Sequence, residues 1–228
     1  INSSDSKKCL VGAELASSLE DVLDEINIKD KSDIYWVEDG PSYECPVWAS
    51  NLDSLLDTSN TSNLSITDKV TAKDTAFYIF TSGTTGVPKA ALFPNAKIIA
   101  ASVNISKGGY RIDSSDCMYN CLPLYHSTGL MLGLCACIQV GAATFIRRKF
   151  SASAFWKEAK QFNTTAFVYV GELCRYLSFL EPSEEEINNP ISKMVGNGLR
   201  PDLWDCFRNR FTVERIVEMY GASEGNAF

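Results

Sequence analysis

The chain has 228 residues, of which 45% are hydrophobic and 21% charged, a balance that excludes a disordered or fibrous protein. Its 21 Lys+Arg stand against 28 Asp+Glu, and the net charge of -7 argues against a nucleic-acid backbone as partner and against docking on an anionic membrane by bulk charge. The eight cysteines form no CxxC pair, and the single histidine, His126, cannot complete a zinc site with them, so they read as small buried hydrophobes in a reducing compartment. No apolar run reaches the ~18 residues of a membrane span. The longest, 130–140, is interrupted by Gln139. The chain starts at Ile1 without a visible signal peptide and stops at Phe228 soon after a motif treated below, so a piece of a longer protein is expected.

In chain order, Cys9, Leu10 and Val11 form a short apolar run, and Leu15, Leu19, Val22, Leu23 and Ile26 then recur at helical spacing. Residues 33–37 read as a strand. Residues 39–74 are rich in Ser, Thr, Asn, Asp and Pro and read as a long surface connection, mobile over 58–67, with one amphipathic patch at Leu52, Leu55 and Leu56. A regular alternation follows. Strands are expected at 76–80, 118–122, 142–147, 166–170, 194–195 and 213–220, and helices at 95–108, 129–140, 152–162, 171–180 and 202–211. Strands alternating with helices of about a dozen residues predict an α/β fold with a mostly parallel sheet covered on both faces by helices. Two regions are expected: an N-terminal α/β segment with its linker over 1–73, and a core over 74–228.

The richest signal is Tyr78-Ile79-Phe80-Thr81-Ser82-Gly83-Thr84-Thr85-Gly86-Val87-Pro88-Lys89. A buried aromatic strand runs into a loop with two glycines, four hydroxyls and a lysine, and each part suits a polyphosphate. Glycines let the backbone approach an anion, exposed N–H groups form an anion-binding concavity, hydroxyls donate further hydrogen bonds, and the lysine brings a mobile charge. The spacing is not Walker A, because Ala90 follows the lysine where that motif needs Ser or Thr.

TSGTTGVPK resembles the phosphate-loop signature of the adenylate-forming, or AMP-binding, superfamily, which includes acyl-CoA synthetases, luciferases and peptide-synthetase adenylation domains. Tyr220-Gly221-Ala222-Ser223-Glu224 resembles a second signature of that superfamily, with Ser223 where Thr is commoner, and Gly196-Asn197-Gly198-Leu199-Arg200 resembles the glycine-containing turn beside the adenine. Leu122-Pro123-Leu124-Tyr125-His126-Ser127, the run from Arg147 to Ser153 and the run from Tyr169 to Leu177 are similar to the fatty acid transport proteins, also called very-long-chain acyl-CoA synthetases. The likeness covers 74–228; residues 1–73 carry no motif of their own but suit the preceding part of the same large N-terminal domain.

The resemblance implies an ATP-dependent long-chain or very-long-chain fatty acyl-CoA ligase linked to fatty acid uptake, with ATP, Mg²⁺ and coenzyme A as its small molecules. The other reading is a fatty acid transport or binding protein whose nucleotide site is accessory or vestigial. An adenylating enzyme for another acid, aromatic or amino, is the third. By the resemblance, Thr81, Ser82, Gly83, Thr84, Thr85 and Gly86 hold the β- and γ-phosphates with Lys89 assisting, Glu224 binds Mg²⁺, Ser223 donates to the α-phosphate, and Tyr220, Gly198, Leu199 and Arg200 border the adenine. Tyr220 also reads as a plain strand-end core aromatic. His126 lies near the acyl pocket and carboxylate by the resemblance, and is a structural histidine at a strand–helix junction otherwise. The acyl pocket falls to residues 130–140 and 167–177, with Gly171 leaving room for a chain. Arg147, Arg148 and Lys149 are a solvated strand end or a contact to headgroup or coenzyme A phosphates.

The family's downstream ribose-binding aspartate, hinge and C-terminal domain with its lysine are not found, nor is the membrane anchor near the N-terminus. This piece alone is therefore expected to be inactive or nearly so as a ligase. The parent is expected to be membrane-associated with a cytosolic catalytic face, at the endoplasmic reticulum, plasma membrane or peroxisome, with no nucleic-acid partner.

Overall fold

The computed structural model describes residues 1–38, 43–81, 88–222 and 225. Two compact units emerge, Ile1–Val70 and Thr71–Phe228. In the first, β1 (Cys9–Gly12) and β2 (Ile34–Val37) pair in parallel, and β3 (Ser50–Asn51) adds to the free edge of β2. The alternation in β2 decides what is buried: Ile34 and Trp36 join Val11, Ala13, Leu19 and Ile28 in a small core, while Tyr35 and Val37 lie half-buried. The crossover from β1 to β2 holds α1 (Ala16–Glu20), shorter than the helical spacing to Ile26 predicts, because turns take over after Glu20.

The region 39–74 is not simply a surface connection. Ser50 and Asn51 pair with Tyr35 and Trp36, and Cys45, Trp48 and Ala49 pack on the core. Asn51 also caps α2 (Leu52–Leu56), its side chain accepting the Ser54 N–H at 3.0 Å. A two-residue Ser-Asn strand has no β-branched or aromatic residue to announce it, so only its neighbour reveals it.

The second unit is built on five parallel strands in the order β10-β9-β8-β6-β7: β6 (Cys117–Asn120), β7 (Ala143–Ile146), β8 (Ala166–Val170), β9 (Lys193–Asn197) and β10 (Arg215–Glu218). The near-continuous apolar run of β8 is what a strand covered on both faces requires. Side-chain alternation splits the core into two layers. Tyr119, Phe167, Tyr169 and Met194 face α5 (Ala152–Gln161), α6 (Gly171–Ser178) and α7 (Pro201–Asp205, continued by π-type turns over Cys206–Arg210). Met118, Ala166, Val168 and Val195 face α3 (Asn95–Val103, continued over Asn104–Tyr110) and the helix formed by Thr128–Cys135 and α4 (Ala136–Val140). The predicted α/β architecture with helices on both faces is what the structure has.

Residues 89–94 correct the expected path. The sequence places them in loop leading to α3, but β5 (Lys89–Pro94) pairs antiparallel with β4 (Thr75–Thr81), ending on Thr81 opposite Lys89. Lys-Ala-Ala-Leu-Phe-Pro has little intrinsic strand preference. Burial of Ile79, Ala91 and Phe93 in the second core layer is what holds the hairpin. Among the described residues no helix is long and apolar enough to cross a membrane.

Candidate functional site

The carboxyl ends of parallel strands open a crevice where loops diverge. Here that crevice is a cavity of about 320 Å³ beyond β6, β9 and β10. Its wall comes from three segments far apart in sequence: His126, Ser127 and Thr128 with Leu132; Gly196 and Asn197; and Met219, Gly221 and Ala222. Each belongs to or adjoins a motif singled out from the sequence.

The first segment is positioned by Asn120, a fully buried residue at the end of β6 that sequence reasoning passed over. Its amide donates to the Gly129 carbonyl at 2.9 Å, and its carbonyl accepts the Leu122 N–H at 3.2 Å, so one side chain closes the loop at both ends. A side chain at Gly129 would press on the backbone of Leu122 and Pro123, and one at Gly133 would overlap Asn120 itself. His126 then sits at the start of the helix, exposed, with Nδ1 accepting the Thr128 N–H at 3.3 Å. With Nδ1 so engaged, the neutral ring carries its proton on Nε2.

The second segment turns because Gly198 adopts a left-handed φ of 79°. Gly171, at the start of α6, lies against this turn so closely that a Cβ there would overlap the Gly198 carbonyl. The direction a side chain would take at Gly171 is thus filled by backbone, and Gly171 is not among the residues lining the cavity. Leu199 is buried in the aromatic layer of the core. Arg200 lies at the surface in a two-point pair with Asp202, both contacts 3.0 Å. Neither is in the cavity wall, where Gly196 and Asn197 stand instead.

The third segment leaves β10. Tyr220 is 97% exposed, which removes the reading of a core aromatic, while its neighbours Met219 and Gly221 face the cavity. Thr81 and Lys89 face each other at the loop end of the β4–β5 hairpin, the Thr81 hydroxyl donating to the Lys89 carbonyl at 3.4 Å. Ser82, Gly83, Thr84, Thr85, Gly86, Ser223 and Glu224 lie outside the described residues. Arg147 is engaged with the protein, its Nε donating to Glu158 at 2.6 Å beside the Tyr119 hydroxyl on the same oxygen. Burial, the strongest influence, and this carboxylate push the Tyr119 hydroxyl far above its ordinary range.

A family model described as AMP-binding enzyme matches residues 1–228. The chain belongs to the AMP-binding enzyme family. It is 38% identical over 228 residues to long-chain fatty acid transport protein 6 of Mus musculus, covering 99% of this chain and 36% of that protein. It is 46% identical over 158 residues to the medium/long-chain-fatty-acid–CoA ligase FadD6 of Mycobacterium tuberculosis, covering 69% of this chain and 26% of the relative. The chain thus spans about a third or less of these relatives' length. In fold it matches ATP-bound MatB from Rhodopseudomonas palustris with a TM-score of 0.76 at 17% identity, over 98% of this chain and 42% of that one.

Proposed function

We propose that this AMP-binding chain carries the nucleotide and acyl-adenylate site of an ATP-dependent fatty acyl-CoA ligase that serves fatty acid uptake. The observation that carries the reading is the convergence of the His126 segment, the Gly196–Asn197 segment and the Met219–Ala222 segment on one cavity at the carboxyl edge of the sheet. Relatives named for long-chain fatty acid transport and for fatty-acid–CoA ligation support the substrate class.

In this reading a fatty carboxylate attacks the α-phosphate of ATP and pyrophosphate leaves. The thiol of coenzyme A then attacks the acyl carbon and AMP leaves. Neither step needs a protein nucleophile, so the protein's work is positioning and charge stabilisation. The loop 82–86 with Thr81 and Lys89 cradles the β- and γ-phosphates, Ser223 donates to the α-phosphate, and Tyr220 stacks on the base. His126, with its proton on Nε2, donates to an oxygen of the reacting carboxylate or phosphate. Glu224 would hold a magnesium ion accompanying the nucleotide, and the ion would offset negative charge on the phosphates. The catalytic face is cytosolic, at a membrane; the transport in the relatives' names supports the membrane and not the side of it.

ATP–pyrophosphate exchange tests the reading, with palmitate, a very-long-chain acid, benzoate and amino acids offered in parallel to the full-length protein. Exchange with the fatty acids that is lost in the Lys89→Ala, Glu224→Ala double variant is expected; unchanged exchange in that variant sinks the site assignment. The transport relatives also favour a second reading, uptake with an accessory nucleotide site. Uptake that persists in cells carrying the double variant would select it.

A further inference from the structure

We infer that Glu218 is a positioning residue for the nucleotide: its carboxylate fixes the Gly196–Arg200 turn against the strand end that leads to Tyr220. The inference rests on the nucleotide reading above. Glu218 is the last residue of β10, in register with Gly196 of β9, and the next ladder bond, from the Met219 N–H to the Gly196 carbonyl, is 2.8 Å. Beyond that point the ladder stops, because Gly198 turns β9 away from its neighbour. The Leu199 N–H would otherwise be left without a strand partner. It donates to both carboxylate oxygens of Glu218, each at 3.2 Å. The same carboxylate accepts the hydroxyl of Tyr169 at 2.8 Å. Tyr169 is fully buried in β8, and its carbonyl oxygen and ring together fill the space above Gly196 so tightly that a Cβ there would overlap both.

Glu218 therefore joins three strands at the lip of the cavity. One side of the turn is fixed by the Gly171–Gly198 backbone contact, the other by this carboxylate, and the turn's first two residues are cavity wall. The charge itself is not needed for the role. Glutamine can accept the Leu199 N–H through its carbonyl and donate its amide N–H to the Tyr169 oxygen, leaving the tyrosine proton for the Val217 carbonyl 3.2 Å away. Alanine can do neither.

The test is steady-state kinetics on the full-length protein. Glu218→Ala is expected to raise the KM for ATP by about tenfold, the scale of one charge-assisted hydrogen bond, with the fatty acid KM unmoved and kcat within about twofold. Glu218→Gln is expected to restore most of the ATP affinity. An ATP KM unchanged in Glu218→Ala overturns the inference, as does a loss shared equally between ATP and fatty acid. If the alanine variant does not fold, Tyr169→Phe serves in its place. It removes one donor and keeps the ring, and the ATP KM is expected to rise by about threefold, with no rise counting against the role. A wild-type protein that does not bind ATP overturns the nucleotide reading itself, an outcome distinct from wild-type binding that Glu218→Ala leaves untouched.

Discussion

At Gly171 the chain has no room for a side chain, and the obstacle is backbone, which cannot swing aside as a flexible side chain does. Gly171→Ala must push the Gly198 peptide away or shift the start of α6. A cost of roughly 1–3 kcal/mol is expected, on the scale of overpacking in a tight core. Because the displaced peptide belongs to the turn that lines the cavity, nucleotide affinity is expected to fall as well. Thermal melting with ATP titration on the purified variant checks both, and a variant as stable as wild type would mean that the turn is free to move. Residues of this kind divide sharply in how legible they are. The glycines and the Ser/Thr loop carry their chemistry in their type, and the sequence exposes them. Asn120 and Glu218 do not, because their partners Leu122, Gly129, Leu199 and Tyr169 mean nothing until strands are side by side. For Asn120 the only signal was a polar residue ending an otherwise apolar strand; Glu218, in a strand that opens with Arg215, had none.

Elements pair by their ends as much as by their faces. At the amino ends of β6, β8 and β9, opposite the cavity, Asp116 takes both of its oxygens to Lys193, at 3.0 and 2.7 Å, and accepts the Thr165 hydroxyl at 2.7 Å. Burial, the largest single influence, works to raise the Asp116 carboxyl, but the lysine and threonine together hold it below its ordinary value. A carboxyl lowered in this way contributes its full stability above the unfolded pKa of about 4, and the contribution is lost as pH falls through the folded value. Lys193→Met is therefore expected to cost about 2 kcal/mol at neutral pH, since it strands a nearly buried carboxylate. The difference from wild type should shrink below about pH 4 as the carboxyl protonates. Urea melts of the two proteins at neutral and acid pH check this, and a gap that stays constant with pH would contradict it. The same elements show where periodicity suffices. β8 and α5 follow from apolar runs and helical spacing almost to the residue, because both are set by burial of their own side chains. β3 and β5 do not, since a Ser-Asn pair and an alanine-rich hairpin arm become strands only through what they lie beside.

Across the whole molecule, each unit has a core of its own. Among the described residues, the buried Val11, Ala13, Leu19, Ile28, Ile34 and Trp36 make up that of Ile1–Val70. The unit Thr71–Phe228 has two layers on either side of its five-stranded sheet, each richer in large side chains and each spanning contributions from early and late in the sequence. Buried apolar surface grows faster than chain length in small domains, so the first unit has much less to set against its conformational entropy than the second. Residues 71–228, produced without the first seventy, are accordingly expected to fold, with near-ultraviolet dichroism and a cooperative melt. Residues 1–70 alone are expected to melt at a lower temperature or not cooperatively. The cavity-lining segments and Glu218 all fall within the larger unit, so the turn they form should survive the cut. A 71–228 protein without a cooperative transition would show that its sheet needs the first unit to close, and that the two cores are one folding unit in practice.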